Sequence, residues 1–136
     1  MKRGFVCSAF DLFHAGHVLM LEECKKSCDH LTAGIQVNPH DERKEKNKPI
    51  QSILERQIQV MGCRFVDDVI IYETEEDLEN LLKIDKFDIR FLGSDYKDGK
   101  KITGKGLCPI HYVSRDHNYS SSRLRERIKN ETKNRR

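Results

Sequence analysis

The chain has no tryptophan, only three prolines and just 7% aromatic residues, so it lacks the spaced rings on which single-stranded nucleic acid stacks. Charge of one sign is equally scarce. Twenty-five Lys and Arg stand against 22 Asp and Glu, a formal net charge of +3, and the interleaved charges form no basic face for a phosphate backbone. Nucleic acid is therefore not an expected partner. No run approaches the roughly 20 apolar residues of a membrane span, and the N-terminus opens on a strand-like segment rather than a charged and apolar leader. A soluble, cytoplasmic protein with no membrane partner is expected. The five cysteines, Cys7, Cys24, Cys28, Cys63 and Cys108, are odd in number and scattered, unlike a disulfide framework, so reduced thiols are expected. Cys24 and Cys28 with His30 have no second Cys or His pair near them, and no protein-built metal site is expected.

What is present suits one domain. Across 136 residues, 37% are hydrophobic and 35% charged, giving a thin core under a heavily charged surface; a second copy would relieve that shortage. Residues 3–9 (RGFVCSA) read as a buried strand, and residues 16–28 place Val18, Leu21, Cys24 and Cys28 at helical steps of three and four. A second strand follows over 30–37. Residues 41–48 (DERKEKNK) carry no apolar period and read as a solvated loop. Ser52 and Glu55 form a capping box at the start of a helix whose apolar stripe is Leu54, Ile58 and Met61. Residues 65–72 then read as a strand, 74–83 as a helix with Leu78, Leu81 and Leu82 inward, and 88–93 and 108–113 as strands. Ser120, Ser121 and Ser122 can cap a last helix with Leu124 and Ile128 inward, and a polar tail occupies 130–136. The fold class is α/β: a single Rossmann-like domain over 1–129, with a five-stranded parallel sheet and helices on both faces, because parallel strands need long right-handed crossovers. Ligands of such sheets sit at the carboxyl ends of the strands.

The segment after the first strand is the most informative. His14-Ala15-Gly16-His17 puts two imidazoles three residues apart at a strand-to-helix turn, with glycine where backbone must come close to a ligand. Free amides at the helix start and two imidazole donors suit phosphate. By contrast, His30, His40, His111 and His117 carry no distinguishing context. The lysines of 41–48 read first as a solvated charge run.

On Ala9-Phe10-Asp11-Leu12-Phe13-His14-Ala15-Gly16-His17, on Gly93-Ser94-Asp95-Tyr96 and on Arg115 through Ser122, the chain resembles the HxGH nucleotidylyltransferases, and among them the cytidylyltransferases of the glycerol-3-phosphate type. The resemblance spans nearly the whole chain. It implies direct attack of an acceptor's phosphate oxygen on the α-phosphorus of a nucleoside triphosphate, with release of pyrophosphate and no covalent enzyme intermediate. His14 and His17 would bind the triphosphate and stabilise developing charge. Lys44 and Lys46, with Lys48 also eligible, would close over the phosphates, and Arg115, Arg56, Ser120 and Ser121 would complete the cradle. Ala9, Phe10, Asp11, Gly16, Gly93, Asp95 and Tyr96 would surround the nucleotide. Mg²⁺ would arrive with the triphosphate, and a homodimer is implied. The chain departs from the family pattern at Ala9, where threonine is usual, and at Asp116 to Tyr119, where Thr-Glu-Gly-Ile is usual. CTP is the preferred donor, and ATP stays open as an alternative.

Overall fold

Five parallel strands in the order β3-β2-β1-β4-β5 make up the sheet of the computed structural model, which describes residues 1–114 and 116–134. The strands are β1 (Arg3–Ser8), β2 (His30–Gln36), β3 (Asp68–Tyr72), β4 (Ile89–Gly93) and β5 (Ile110–Val113). Between them run α1 (Ala15–Lys26), α2 (Ile53–Met61) and α3 (Glu75–Asp85), and α4 (Ser121–Asn134) follows β5. Side-chain alternation divides the sheet into two faces. Val6, Ile35 and Phe91 pack against Leu21 and Cys24 of α1 and Val60 of α2, whereas Phe5 and Tyr72 pack against Leu78 and Leu82 of α3. Helices thus cover both faces, as the alternation of elements requires.

The chain leaves β1 toward β2 and β3, then crosses to β4 and β5 on the other side. The carboxyl ends of β1 and β4 are therefore the topological switch point, where such sheets open a crevice. Ser52 and Thr74 each complete a capping box at the start of α2 and α3, which explains why these starts are legible in sequence. All five cysteines are free thiols, Cys24 and Cys63 buried. No described helix is long and apolar enough to cross a membrane.

Two expectations about helix faces need correction. The stripe of Leu54, Ile58 and Met61 points outward, with exposures of 60%, 63% and 47%. What α2 buries instead is Arg56 and Val60, because the Arg56 guanidinium reaches in to the carbonyls of Ala9, Gln36 and Val37 at 2.7–3.0 Å. That anchorage turns the apolar stripe to the outside. Ile128 likewise points outward, and α4 continues through Asn134 instead of giving way to a tail at 130. Its docking is largely polar: Arg125 Nη2 lies 2.7 Å from Asp11 Oδ2.

Candidate active site

The turn from β1 into α1 is strained. Phe10 and Leu12 both adopt left-handed backbone, at φ 51° and 52°, which costs about 1–3 kcal/mol at each non-glycine position. Asp11 between them holds the turn. Its buried carboxylate accepts from the amides of Ile50 and Gln51 at 2.8 and 2.9 Å and pairs with Arg125, while Leu12 N–H donates to Gln51 Oε1 at 2.7 Å. The end of the lysine loop and the last helix are thereby tied to the turn that presents His14.

His14 is the N-cap of α1. Its Nδ1 accepts from Gly16 N–H at 3.0 Å, and its backbone N–H donates to His17 Nδ1 at 3.2 Å. Both Nδ1 atoms act as acceptors, so each neutral ring carries its proton on Nε2. His14 Nε2 lies 3.2 Å from Ser121 Oγ at the start of α4, and the two rings stand 4.0 Å apart. Burial pushes the His17 ring down to about 3, with the neighbouring His14 charge adding to it. Burial lowers His14 as well, followed by the effect of His117. The pair is therefore neutral at pH 7, with two Nε2 N–H donors at a helix start whose Gly16 and His17 amides are capped by the His14 side chain rather than left free. Gly16 has a steric cause: a Cβ there would meet the Tyr119 carbonyl at 2.9 Å and the His14 ring at 2.8 Å.

These groups line a cleft of about 530 Å³ at the switch point, a size suited to a small-molecule ligand. Five cationic side chains among its described lining, Arg43, Lys46, Arg90, Lys101 and Arg123, face two carboxylates, Glu75 and Asp95. The cleft therefore favours a polyanion. No group of three or more His, Cys, Asp or Glu side chains among the described residues could hold a metal ion. With Glu75 paired to Arg43, Asp95 is the cleft carboxylate that fits a hard cation keeping water and phosphate oxygens as its main ligands.

A model of the cytidylyltransferase-like family matches residues 5–127. The chain belongs to that family. The bifunctional protein HldE of Campylobacter jejuni strain RM1221 is 32% identical over 127 residues, a match covering 92% of this chain and 27% of that protein. The chain thus spans about a quarter of the length of such bifunctional relatives. Glycerol-3-phosphate cytidylyltransferase of Bacillus subtilis is 29% identical over 128 residues, with 94% of this chain and 98% of that protein covered. A crystal structure of a lipopolysaccharide core biosynthesis protein from Thermoplasma volcanium superposes with a TM-score of 0.65 at 23% identity, over 88% of this chain and 99% of that one, which shows the shared fold.

Within this cytidylyltransferase-like domain the cleft brings together His14, His17, Lys46, Ala9, Gly16, Gly93, Asp95, Tyr96, Ser120 and Ser121. Four residues expected in the site do not line it. Phe10 is fully buried, Asp11 holds the turn, Arg56 is committed to backbone carbonyls, and Lys44 lies outside the lining that Lys46 and Arg43 enter. Arg115 lies outside the described residues. Sequence reasoning missed Arg43, Arg90, His117 and Arg123. His117 stacks on Tyr119 at 5.5 Å between centroids, and Arg123 is one turn into α4, where its N–H donates to the Ser120 hydroxyl. Their position after β5 was the available signal. Arg90 gave none, since a lone arginine in a strand reads as an exposed edge residue.

Proposed function

We propose that this chain transfers a cytidylyl group from CTP to the phosphate of a small molecule and releases pyrophosphate. The observation that carries the reading is the neutral His14–His17 pair at the switch-point cleft, both Nδ1 atoms held by backbone amides of the turn and His14 Nε2 set 3.2 Å from the Ser121 hydroxyl. An acceptor phosphate oxygen attacks the α-phosphorus, and the bond from that phosphorus to the pyrophosphate oxygen breaks. The imidazole donors and helix starts stabilise charge on the departing pyrophosphate. Arg43 and Lys46 neutralise it from the loop, and Asp95 is the cleft carboxylate carried by the segment Gly93–Tyr96. Asp95 is the residue that would help hold a Mg²⁺ arriving with the triphosphate, which would supply neutralisation of phosphate charge there. Relatives named for glycerol-3-phosphate and, in Mus musculus, for ethanolamine-phosphate cytidylyl transfer support a phosphorylated small acceptor.

The test is pyrophosphate release from each of the four common triphosphates with glycerol, ribitol, heptose, choline and ethanolamine phosphates. Release is expected with CTP only when an acceptor is present. A preference for ATP would replace cytidylyl by adenylyl transfer, and no release with any pair would end the reading.

We infer further that two copies pair through the outward stripe of α2, because Ile50, Leu54, Ile58 and Met61 form one exposed apolar face on a domain with a thin core. Sedimentation is expected to give a dimer for the wild type and a folded monomer for Ile58→Lys. A monomeric wild type at 50-fold above assay concentration would refute the pairing.

A further inference from the structure

The cleft has a second lobe on the α3 side of the sheet that the transfer chemistry leaves unused. Alternation along β4 sends Phe91 to the α1 side and Arg90 to the α3 side. There Arg90 is 2% exposed yet lines the cleft. Its Nη1 donates to the Thr103 carbonyl at 2.5 Å, the guanidinium also shares a side-chain hydrogen bond with Cys7, and its Nε has no hydrogen-bond partner among the described residues. No described carboxylate forms an ion pair with it. Glu75, which also lines the cleft, is engaged by Arg43 at 3.4 Å. Glu75, whose charge also reaches Cys7 and Tyr72, is the carboxylate of this neighbourhood and is spent on Arg43, while burial raises the Cys7 and Cys108 thiols and the Tyr72 hydroxyl, keeping all three protonated. A guanidinium removed from water without a counter-charge is costly. The Nε edge left open beside the cleft suits a planar or tetrahedral oxyanion.

We propose that this lobe receives the end of the acceptor remote from the attacking phosphate, and that Arg90 pairs there with an anionic oxygen group, a carboxylate or a second phosphate. The inference rests on the transfer reading above and narrows its acceptor. A molecule ending in an ammonium would meet an uncompensated buried cation, and a neutral hydroxyl would leave the guanidinium without its counter-charge.

Pyrophosphate release from CTP is compared for four phosphate esters of similar size. Their far ends are a carboxylate (3-phosphoglycerate), a second phosphate (1,3-propanediol bisphosphate), a hydroxyl (glycerol 3-phosphate) and an ammonium (phosphoethanolamine). One of the two anionic ends is expected to exceed the neutral and cationic ends by about tenfold or more in kcat/KM, the weight of a charged hydrogen bond. Arg90→Met closes that gap, and Arg90→Lys, which keeps the charge without the Nε edge, restores part of it. Preference for the hydroxyl or ammonium overturns the proposal and leaves cytidylyl transfer standing. If no ester supports release, the transfer reading fails, and ligand-induced thermal stabilisation by 3-phosphoglycerate or the bisphosphate alone decides the Arg90 site. Stabilisation of the wild type beyond that of Arg90→Met supports the site, and equal shifts overturn it. The unliganded variant also separates binding from scaffold. A counter-ion site predicts that Arg90→Met melts no lower than the wild type, whereas a clear fall in Tm assigns Arg90 to holding Thr103 and refutes the proposal.

Discussion

Replacing His17 with alanine is expected to slow pyrophosphate release by about 10²–10³-fold, the usual loss on removing one preorganised donor at developing charge, while the protein stays folded. His17 is placed for the task by local contacts, the Phe13 ring stacked on it and the His14 backbone N–H on its Nδ1, which leaves Nε2 as the donor. His14→Ala is expected to fall in the same range, and the double variant to fall little further, because the two rings act on one charge. Their protonation sharpens the test. With His17 held near 3 and His14 lowered by burial, the working form is neutral, so these rings impose no loss of rate between pH 6.5 and 8, where an ordinary histidine discharges. A rate that declined across that window and lost the decline in His17→Gln would show imidazolium to be the active form. Stability moves in the direction set by linkage. Between about 3 and 6.5 the unfolded state binds the proton and the folded state does not, so the His17 contribution is complete above 6.5 and is lost as pH falls, by at most about 1.4 kcal/mol per pH unit. Urea titrations of wild type and His17→Gln read that slope directly.

Much of this arrangement is local enough to be written in the sequence. Strand and helix periods gave the order of elements, and Ser52 marked a helix start because a capping box is closed within four residues; the Thr74–Asp77 box is an equally local signal that the sequence reading did not use. The HxGH turn is largely local, since the hydrogen bonds to both Nδ1 atoms lie within residues 14–17 and the rings packed on His17 are those of Phe10 and Phe13, while only the Ser121 contact of His14 is distant. Errors arose where one long side chain decides what a helix buries. The stripe Leu54, Ile58 and Met61 has the periodicity of a core face, yet three carbonyl acceptors across the sheet capture Arg56 and reverse α2. Asp11 has the same character: its partners, residues 50, 51 and 125, are 39 to 114 positions away, beyond the reach of any motif. Arg90 was illegible for a related reason. Its meaning lies in what fails to surround it, and that depends on the packing of α3 and the 103–104 backbone.

Arg56→Met is expected to lower unfolding free energy by about 3 kcal/mol or more, the second large effect and one confined to stability. The guanidinium serves four carbonyls, those of Ala9, Gln36, Val37 and Ser52, and methionine fills the volume without replacing a donor. Buried acceptors left unpartnered cost about 1–3 kcal/mol each. The gain from removing a charge that burial disfavours offsets part of that sum. The ends of β1 and β2 would separate from α2, which is why the loss should appear as a lower urea midpoint at unchanged m-value, with triphosphate affinity kept under conditions where the variant is folded. A variant as stable as the wild type but about tenfold weaker for CTP would move Arg56 back among the phosphate ligands. The contrast with Arg90 makes the pair informative. Both arginines are 2% exposed, but one has its donors spent on four carbonyls and the other is held by one carbonyl and a thiol with its Nε left open, so the same substitution should unfold one site and cost the other only its ligand.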